Sequence, residues 1–191
     1  TNHVKDGVET RAQDTDQSVF QRVIDQEQRK MRSLVEAEGK NNPYDIHHEL
    51  GETMNDACTV IREGERMAEA RQTVNELHEK YQDMRLSDSG MWTNQNLSFA
   101  RALGDMLIYA DAILDGSIAR TESRGSHYRP DYPDRDDANW LKTTLAKFDP
   151  QSGKTVLEYE DVPTPLATPR ERSYGKTDDS KKSEKKQTKQ T

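Results

Sequence analysis

Cysteine is almost absent from this sequence, in which Cys58 is the single example. One thiol excludes an intramolecular disulfide, and it excludes zinc or iron–sulfur sites that need several cysteines. Cys58 lies on an apolar helical face, which predicts a small buried side chain rather than a reactive one. Such sparing use of cysteine is consistent with a reducing, cytoplasmic setting.

Apolar residues are scarce as well, since hydrophobic side chains make up 31% of the chain and charged side chains 33%. No apolar run is long enough to span a bilayer, and we find no secretory signal, so no direct membrane insertion is expected. With so few apolar residues the hydrophobic core of a single domain would be thin. Either part of the chain is therefore an exposed tail, or its apolar faces cover a partner. The formal net charge of −7 argues against general nucleic-acid binding.

Motifs that carry catalysis are also missing. Neither G-x-G-x-x-G nor G-x-x-x-x-G-K-[ST] occurs, so the sequence shows no nucleotide site. No G-x-S-x-G surrounds a serine, and Ser126 and His127 are neighbours whose side chains rarely face each other. His48-Glu49-Leu50-Gly51-Glu52 begins like the zinc-binding H-E-x-x-H, but Glu52 stands where the second histidine is needed. We therefore expect no catalytic, cofactor-binding or metal-binding residue in this chain.

What the sequence does contain is a series of amphipathic helices. Thr15 and Asp16 offer N-cap side chains for a leading helix of about twenty residues, which Gly39 ends. One face of this helix is apolar and the remainder is charged, with Glu27 interrupting the apolar stripe. The stripe consists of Phe20, Val23, Ile24, Met31, Leu34 and Val35.

Three further helices are predicted to begin at Pro43, Glu65 and Asn94. Asn42 is the N-cap of the first of these helices, and Gly64 separates it from the next. Apolar residues three and four positions apart indicate helices that pack nearly antiparallel, so we predict an all-α fold with an up-down-up three-helix bundle. The three stripes are Ile46, Leu50, Met54, Ala57 and Ile61; Met67, Ala70, Val74, Leu77, Tyr81 and Met84; and Phe99, Leu103, Met106, Leu107, Ala110, Ile113, Leu114 and Ile118.

An ordered extension is expected after the bundle. Asp136 and Asp137 favour the start of a short helix, which would carry Trp140, Leu141, Leu145 and Phe148 on one side. Leu157 and Tyr159 alternate with glutamates, as in a single half-buried strand. One strand cannot form a sheet, so its pairing partner is expected outside this chain. The predicted divisions are a leading segment (1–41), the bundle (42–123), the extension (124–175) and a disordered Lys-rich tail (176–191).

The most informative stretch is the dense polar loop that follows the last bundle helix. Its arginines can form forked hydrogen bonds with carboxylates or carbonyls, His127 can titrate near neutrality, and Gly125 allows a sharp turn. Two interpretations stay open: an internal ion-pair network that locks the loop to the bundle, or a docking surface for another protein. The candidate docking residues are Arg124, Gly125, His127, Arg129, Asp131, Arg135, Asp136 and Asp137.

This loop resembles a stretch of the succinate dehydrogenase and fumarate reductase flavoprotein subunits, "ESRGAH-x-R-x-D-x-P-x-RDD", with Ser126 where alanine is usual. Residues 42–54 are similar to the opening of the C-terminal helical domain of that family. Leu77-His78-Glu79-Lys80-Tyr81 resembles its "L-x-E-[RK]-[YF]" helix, and residues 140–146 and 169–174 extend the resemblance towards the end of the chain. The helix spacing is most similar to the Bacillus-type branch.

The resemblance implies a C-terminal piece of an oxidoreductase subunit that converts succinate to fumarate, or the reverse, with FAD. In that family the flavin-binding and capping domains precede this region and hold the flavin and the dicarboxylate, so the piece alone is expected to be inactive. The implied partners are the flavin domain of the same subunit and the iron–sulfur subunit, at the cytoplasmic face of the inner membrane. L-Aspartate oxidase shares a related domain, so the resemblance alone does not fix the substrate of the parent. The alternative function is that of a free-standing helical adaptor, which binds partners without catalysis.

Overall fold

The computed structural model describes residues 16–166 and Pro169 of the 191-residue chain. It confirms the predicted, mostly helical fold. The first fifteen residues of the leading segment (1–41) and the Lys-rich tail (176–191), which was predicted to be disordered, lie outside the described residues. The elements are α1 (Gln17–Val35), α2 (Pro43–Cys58), α3 (Gly64–Gln82), α4 (Gln95–Ala119), α5 (Asp137–Trp140), β1 (Lys142–Asp149) and β2 (Lys154–Asp161).

Side-chain caps determine where three of the helices begin. Asp16 caps α1, as predicted, by accepting a hydrogen bond from a backbone N–H in the first turn. Asn42 Oδ1 accepts from the N–H of Tyr44 at 3.0 Å, and Asn94 Oδ1 accepts from the N–H of Leu97 at 2.9 Å. Each cap satisfies a backbone donor that has no partner within the helix. The predicted starts of α1, α2 and α4 are therefore confirmed.

Helices α2, α3 and α4 form the predicted up-down-up bundle. Lys80 near the end of α3 donates to Glu49 near the start of α2 at 2.6 Å, so these two helices are antiparallel. The hydroxyl of Tyr81, also near the end of α3, donates to the carbonyl of Ala100 near the start of α4 at 3.1 Å. Since α3 is antiparallel to both neighbours, α2 and α4 run in the same direction.

The core lies between these three helices and differs from the prediction at its edges. Ile61 follows the end of α2 and is exposed, because α2 ends at Cys58. Met106 and Ile113 are also exposed, since α4 packs through the neighbouring stripe. Core residues with no exposed surface include Met67, Val74, Leu77, Leu103, Leu107 and Leu114.

Only the C-terminal half of α1 packs on the bundle. Met31, Leu34 and Val35 contact the core, and Glu27 faces Arg101 of α4 at 3.6 Å. The apolar side chains of the N-terminal half lie on the same stripe, yet they are between 44% and 57% exposed. These side chains are Val19, Phe20, Val23 and Ile24.

The short helix predicted after the polar loop is present but does not extend to Leu145 and Phe148, and the prediction of a single strand is wrong. Helix α5 is only four residues long, and β1 follows it directly and pairs antiparallel with β2. Leu145 and Phe148, which suggested a helical stripe, lie in β1, and Thr143 and Thr144 supply β-branched side chains that favour a strand. The pairing partner that β2 needs therefore lies within this chain, so the strand is no argument for a partner or polypeptide outside it.

A short turn joins the two strands. The Asp149 carboxylate accepts from the N–H of Gln151 at 3.0 Å, and Gly153 adopts a φ of 67° that favours glycine. Arg120, the residue that ends α4, donates to the carbonyl of Lys142 at 2.9 Å and to the hydroxyl of Thr144 at 3.1 Å. These bonds attach β1 to the carboxyl end of α4.

Candidate functional site: the polar loop at the carboxyl end of α4

Residues 120–137, here called the polar loop, are built around a buried carboxylate. Glu122 has no exposed surface. It accepts hydrogen bonds from Arg120 at 2.6 Å, from Arg124 at 2.7 and 2.9 Å, and from the N–H of Asp136 at 2.9 Å. Burial acts to raise the pKa of Glu122, but the hydrogen bonds from Arg124, the Asp136 N–H and Arg120 outweigh it and lower that pKa. Glu122 is therefore a buried anion with two cationic partners.

The network continues outward through Arg124 and Asp137. Arg124 donates to Asp137 at 2.7 Å, and Arg135 forks onto both oxygens of the same carboxylate at 2.6 and 2.7 Å. Hydrogen bonds from Arg135 and Arg124 lower the pKa of Asp137 to about 2. Asp136 caps α5 by accepting from the N–H of Asn139 at 3.1 Å. The candidate docking side chains of Arg124, Arg135 and Asp137 are thus hydrogen-bonded to one another within the loop, and Asp136 beside them caps α5.

Arg129 caps the carboxyl end of α4. Its side chain is only 4% exposed. One nitrogen of its guanidinium donates to the carbonyls of Ser117, Ile118 and Arg120 at 2.9, 3.2 and 3.1 Å. These carbonyls belong to the last turn of the helix, where they have no amide partner further along it. A cation at this position also complements the negative end of the helix dipole.

The same arginine connects α4 to α3 through Asp131. Arg129 Nε donates to Asp131 at 2.8 Å, and this bond is the main cause of the lowered pKa of Asp131. The Asp131 carboxylate also lies beside Gly64 at the start of α3, whose backbone contributes to the lowered pKa, and α3 has no side-chain cap of its own. The Arg129–Asp131 pair therefore joins the negative end of α4 to the positive end of α3. A Cβ atom on Gly64 would lie 2.6 Å from the Asp131 carboxylate, so a side chain there would displace the Arg129–Asp131 pair.

His127 attaches the loop to the connection between α2 and α3. Arg62 approaches its Nδ1 at 3.1 Å, and the carbonyl of Arg120 lies 3.4 Å from its Nε2. Since arginine only donates, this geometry requires a neutral imidazole that carries its proton on Nε2. Burial lowers the pKa of His127, and the nearby charge of Arg62 lowers it further. Beside it, the N–H of Arg62 donates to the carbonyl of Tyr128 at 2.8 Å.

The tip of the loop is a tight turn at Gly125. Arg124 and His127 exchange backbone hydrogen bonds at 2.8 and 3.0 Å, and Gly125 adopts a φ of 61°. The predicted sharp turn is confirmed. A Cβ atom at Gly125 would meet nothing within 4 Å, so the glycine is required by its backbone angle and not by crowding.

The structure thus shows the internal ion-pair network, while the docking role of the same residues stays a prediction. Sequence reasoning missed three central residues. Glu122 opens the stretch that carried the family resemblance, and Arg120 lies two residues before it, so both had a signal. Arg62 had none, because its contact with His127 depends on how distant segments meet. Among the described residues, every buried side-chain nitrogen and oxygen has a hydrogen-bond partner.

The other histidines of the bundle with a charged neighbour each face one carboxylate. His48 faces Glu52 at 3.4 Å on the surface of α2, and His78 lies 2.9 Å from Asp111. Burial raises the pKa of the Cys58 thiol. Within 16–166 and Pro169, no three His, Cys, Asp or Glu side chains are grouped as metal ligands would be. No helix in this described part is both long and apolar enough to cross a membrane.

Comparison with known proteins identifies relatives of this arrangement. The family described as "Fumarate reductase flavoprotein C-term" matches residues 47–174. The succinate dehydrogenase flavoprotein subunit of Bacillus subtilis is 38% identical over 170 residues, which cover 89% of this chain and 29% of that protein. The fumarate reductase flavoprotein subunit of Escherichia coli is 35% identical over 150 residues, which cover 78% of this chain and 25% of that protein.

Solved structures share the fold. A variant of quinol fumarate reductase from E. coli aligns with a TM-score of 0.79 and 32% identity, covering 84% of this chain and 28% of that one. The Mycobacterium smegmatis Sdh1 complex aligns with a TM-score of 0.68 and 28% identity, over 77% of this chain and 25% of that one. The chain therefore spans less than a third of the length of the relatives it matches. The predicted family resemblance is confirmed.

Proposed function

The chain belongs to the fumarate reductase flavoprotein C-terminal family, and from that membership we propose that it is the helical part of a larger flavoprotein subunit. The parent subunit interconverts succinate and fumarate with FAD, and it works with an iron–sulfur subunit at the cytoplasmic face of the membrane. The chain itself packs on the flavin-binding part and contributes no reacting group. The divisions at 42, 124 and 176 separate the bundle from its leading segment, its extension and its tail.

The observation that carries this proposal is the family match over residues 47–174, which runs from the first turns of α2 through the rest of the bundle and the polar loop. The geometry of the loop supports a docking role within it. Because the arginines and carboxylates are held by one another, the outer surface of the loop is fixed before any partner arrives, and little side-chain freedom is lost on binding. In this proposal the surface formed by Arg124, Gly125, His127, Asp131, Arg135, Asp136 and Asp137, with Arg129 buried beneath them, faces the iron–sulfur subunit.

The membership in a larger subunit is tested by the coding sequence upstream of the Thr1 codon. We expect an open frame that encodes a strand followed by G-x-G-x-x-G. The purified full-length product should contain FAD and reduce an artificial electron acceptor in the presence of succinate. An initiator codon directly before Thr1, preceded by a stop codon, would contradict the proposal and favour a free-standing adaptor. Aspartate as the better substrate would instead move the parent to L-aspartate oxidase chemistry.

The docking role is tested at the tip of the loop, by co-purification of the iron–sulfur subunit with the flavoprotein. Gly125→Glu adds a bulky anion to the tip and should weaken the association. Gly125→Asn is the matched control, because asparagine tolerates the positive φ better than other non-glycine residues. Equal recovery of the iron–sulfur subunit with both variants and with the unaltered protein would exclude this surface.

A further inference from the structure

Two short segments are held together at the carboxyl end of α3. Residues 39–41 and 83–85 are joined by four backbone hydrogen bonds of 2.9 to 3.2 Å. The amide nitrogen of Asn41 also donates to the carbonyls of Lys80 and Asp83, at 3.2 and 3.0 Å. These carbonyls lie in the last turn of α3 or directly after it, where the helix itself supplies no donor. The two segments, here called the clamp, are therefore fixed in position before any ligand binds.

The clamp forms one side of a cleft of about 440 Å³, which residues of α2, of α4 and of the connection between α3 and α4 complete. A volume of this size is within the range of small-molecule sites. Among the nine described residues that line the cleft there is no aspartate or glutamate, whereas Lys40 and Arg85 are both cations. The lining is therefore positively charged, in a chain whose formal net charge is −7.

Arg85 supplies most of the unused hydrogen-bonding capacity of the cleft. Its side chain is exposed, and within the part of the chain that the structure describes it forms no ion pair and no hydrogen bond. Lys40 has one long ion pair, with Asp83 at 3.7 Å. A guanidinium presents five N–H donors and an ammonium group three. The cleft therefore offers more donors and more positive charge than the described side chains around it use.

An aromatic ring lies beside these cations. Tyr44 lines the cleft and stacks on Phe99, with ring centroids 4.3 Å apart and planes 14° from parallel. Its hydroxyl donates to Asn96 at 2.9 Å, so the ring is fixed at two points, yet Tyr44 is 47% exposed. Because Phe99 covers one face, the exposed part of the ring lies on the other face and the edge. A ring held in this way can stack on a planar group at little cost in side-chain freedom.

We propose that this cleft binds a nucleoside monophosphate, with the phosphate on Arg85 and Lys40 and the base stacked on Tyr44. Two cations match the charge of a phosphate monoester, which is about −1.5 to −2 at neutral pH. Its three terminal oxygens can accept from both the guanidinium and the ammonium group, whereas a single carboxylate brings one charge and two oxygens. Base stacking on an aromatic side chain is a common part of such recognition. The inference adds a binding site that lies outside the proposed function and does not depend on it.

No glycine-rich loop is needed for this mode of binding. Loops of that kind hold a phosphate with backbone N–H groups, whereas here the donors belong to side chains. The clamp supplies the rigidity, since it carries Lys40 on one segment and Arg85 on the other. The absence of nucleotide motifs from the sequence is therefore compatible with the site.

The test is a titration of the isotope-labelled, 191-residue chain with adenosine monophosphate, followed by NMR of the backbone amides. We expect saturable shifts at Asn42, Tyr44 and Ser87, with a Kd below roughly 1 mM. Amides that show no saturable shift up to roughly 10 mM ligand would overturn the proposal.

The two halves of the ligand test the two contacts separately. Adenosine and inorganic phosphate should each bind at least about tenfold more weakly than adenosine monophosphate, because each makes only one of the linked contacts. Inorganic phosphate that binds as tightly as the whole ligand would overturn the stacking on Tyr44. Adenosine that binds as tightly would overturn the role of Arg85 and Lys40.

A pair of substitutions distinguishes a site from general attraction between charges. Arg85→Ala should weaken binding by about tenfold or more, because it removes the charge-assisted hydrogen bonds to the phosphate. The variant should keep its fold, since the Arg85 side chain has no partner among the described residues. Arg66→Ala is the matched control: Arg66 is a 55% exposed arginine in the first turn of α3, at the other end of that helix. Equal weakening by the two substitutions would overturn the proposal.

Discussion

The two ends of α4 differ in how completely the described fold buries the side chains around them. At the carboxyl end, the polar loop buries Glu122 and Arg129 and satisfies both with partners from the same chain. At the amino end, Trp92 extends into solvent just before α4, and its neighbour Met91 is also more than half exposed. The loop is finished within the described fold, whereas the connection before α4 has exposed apolar side chains, Met91 and Trp92, that the described fold does not bury.

This difference separates folding from association. A helix of 25 residues is about 37 Å long, so changes at the two ends should add independently. Substitutions in the polar loop should act on the free energy of unfolding of the isolated chain. A substitution of the exposed Trp92 should leave that quantity almost unchanged, and any effect of it should fall on assembly instead. Measuring both quantities for the same variants tests this separation.

The largest expected effect is that of Glu122→Ala. Removing the carboxylate leaves Arg120 and Arg124 without their buried counter-charge, which typically costs about 3–5 kcal/mol. Urea denaturation of the isolated chain should show a loss of that size. Glu158→Ala is the control, because the pair between Glu158 and Lys147 is exposed and should contribute less than about 1 kcal/mol. A loss below about 1 kcal/mol for Glu122→Ala would show that the carboxylate does not organise the loop.

A smaller effect is expected for Gly64→Ala, which tests the connection between α3 and α4. The added Cβ would lie 2.6 Å from Asp131 and 3.1 Å from Arg129, so the pair must shift at a cost of roughly 1–3 kcal/mol. Gly51→Ala is the matched control, since a Cβ there meets nothing within 4 Å and should stabilise the helix by roughly 0.5–1 kcal/mol. Changes of the same sign in urea denaturation would contradict this account.

Sequence predicted the helices well because their signals are local. Asp16, Asn42 and Asn94 are caps that act within one turn, and the apolar stripes repeat with the helical period. The prediction failed at the hairpin for the same reason. Leu145 and Phe148 have a helix-like spacing, which is a local signal, whereas the competing signal was a turn between two strands. Gly153 after Asp149 marked that turn, but the pairing of β1 with β2 decides the structure.

The residue types of the candidate site were predicted from the sequence, but the contacts that each residue makes were not. The density of arginine and aspartate indicated an ion-pair network, and Gly125 indicated the turn. The contacts of Arg129 with the last carbonyls of α4, and of Asp131 with the start of α3, depend on how two helix ends meet. No spacing rule within the loop specifies that geometry.

The third effect is a pH dependence localised at His127. Because burial and Arg62 lower its pKa from the usual 6.5, the neutral form is favoured in the folded chain. Its contribution to stability is complete above pH 6.5 and is lost as the pH falls from there towards the folded-state pKa. The difference in free energy of unfolding between the unaltered chain and His127→Gln should therefore shrink below pH 6.5, by less than about 1.4 kcal/mol per pH unit. Parallel stability curves between pH 5 and 8 would contradict the assignment of a neutral His127.

The smallest effect on stability should come from Trp92→Ala. An effect close to zero would show that the indole takes no part in the folding of this chain. An indole that is 87% exposed is almost as hydrated in the folded chain as in the unfolded one, so its removal should change the free energy of unfolding by less than about 0.5 kcal/mol. Leu97→Ala provides the sensitivity control, because Leu97 is buried in the first turn of α4 and its truncation should cost about 2–5 kcal/mol. If Trp92→Ala destabilised the isolated chain as much as Leu97→Ala, the indole would belong to the folding of this domain. The contrast between the two ends of α4 would then disappear, and the exposed tryptophan would need no partner to explain it.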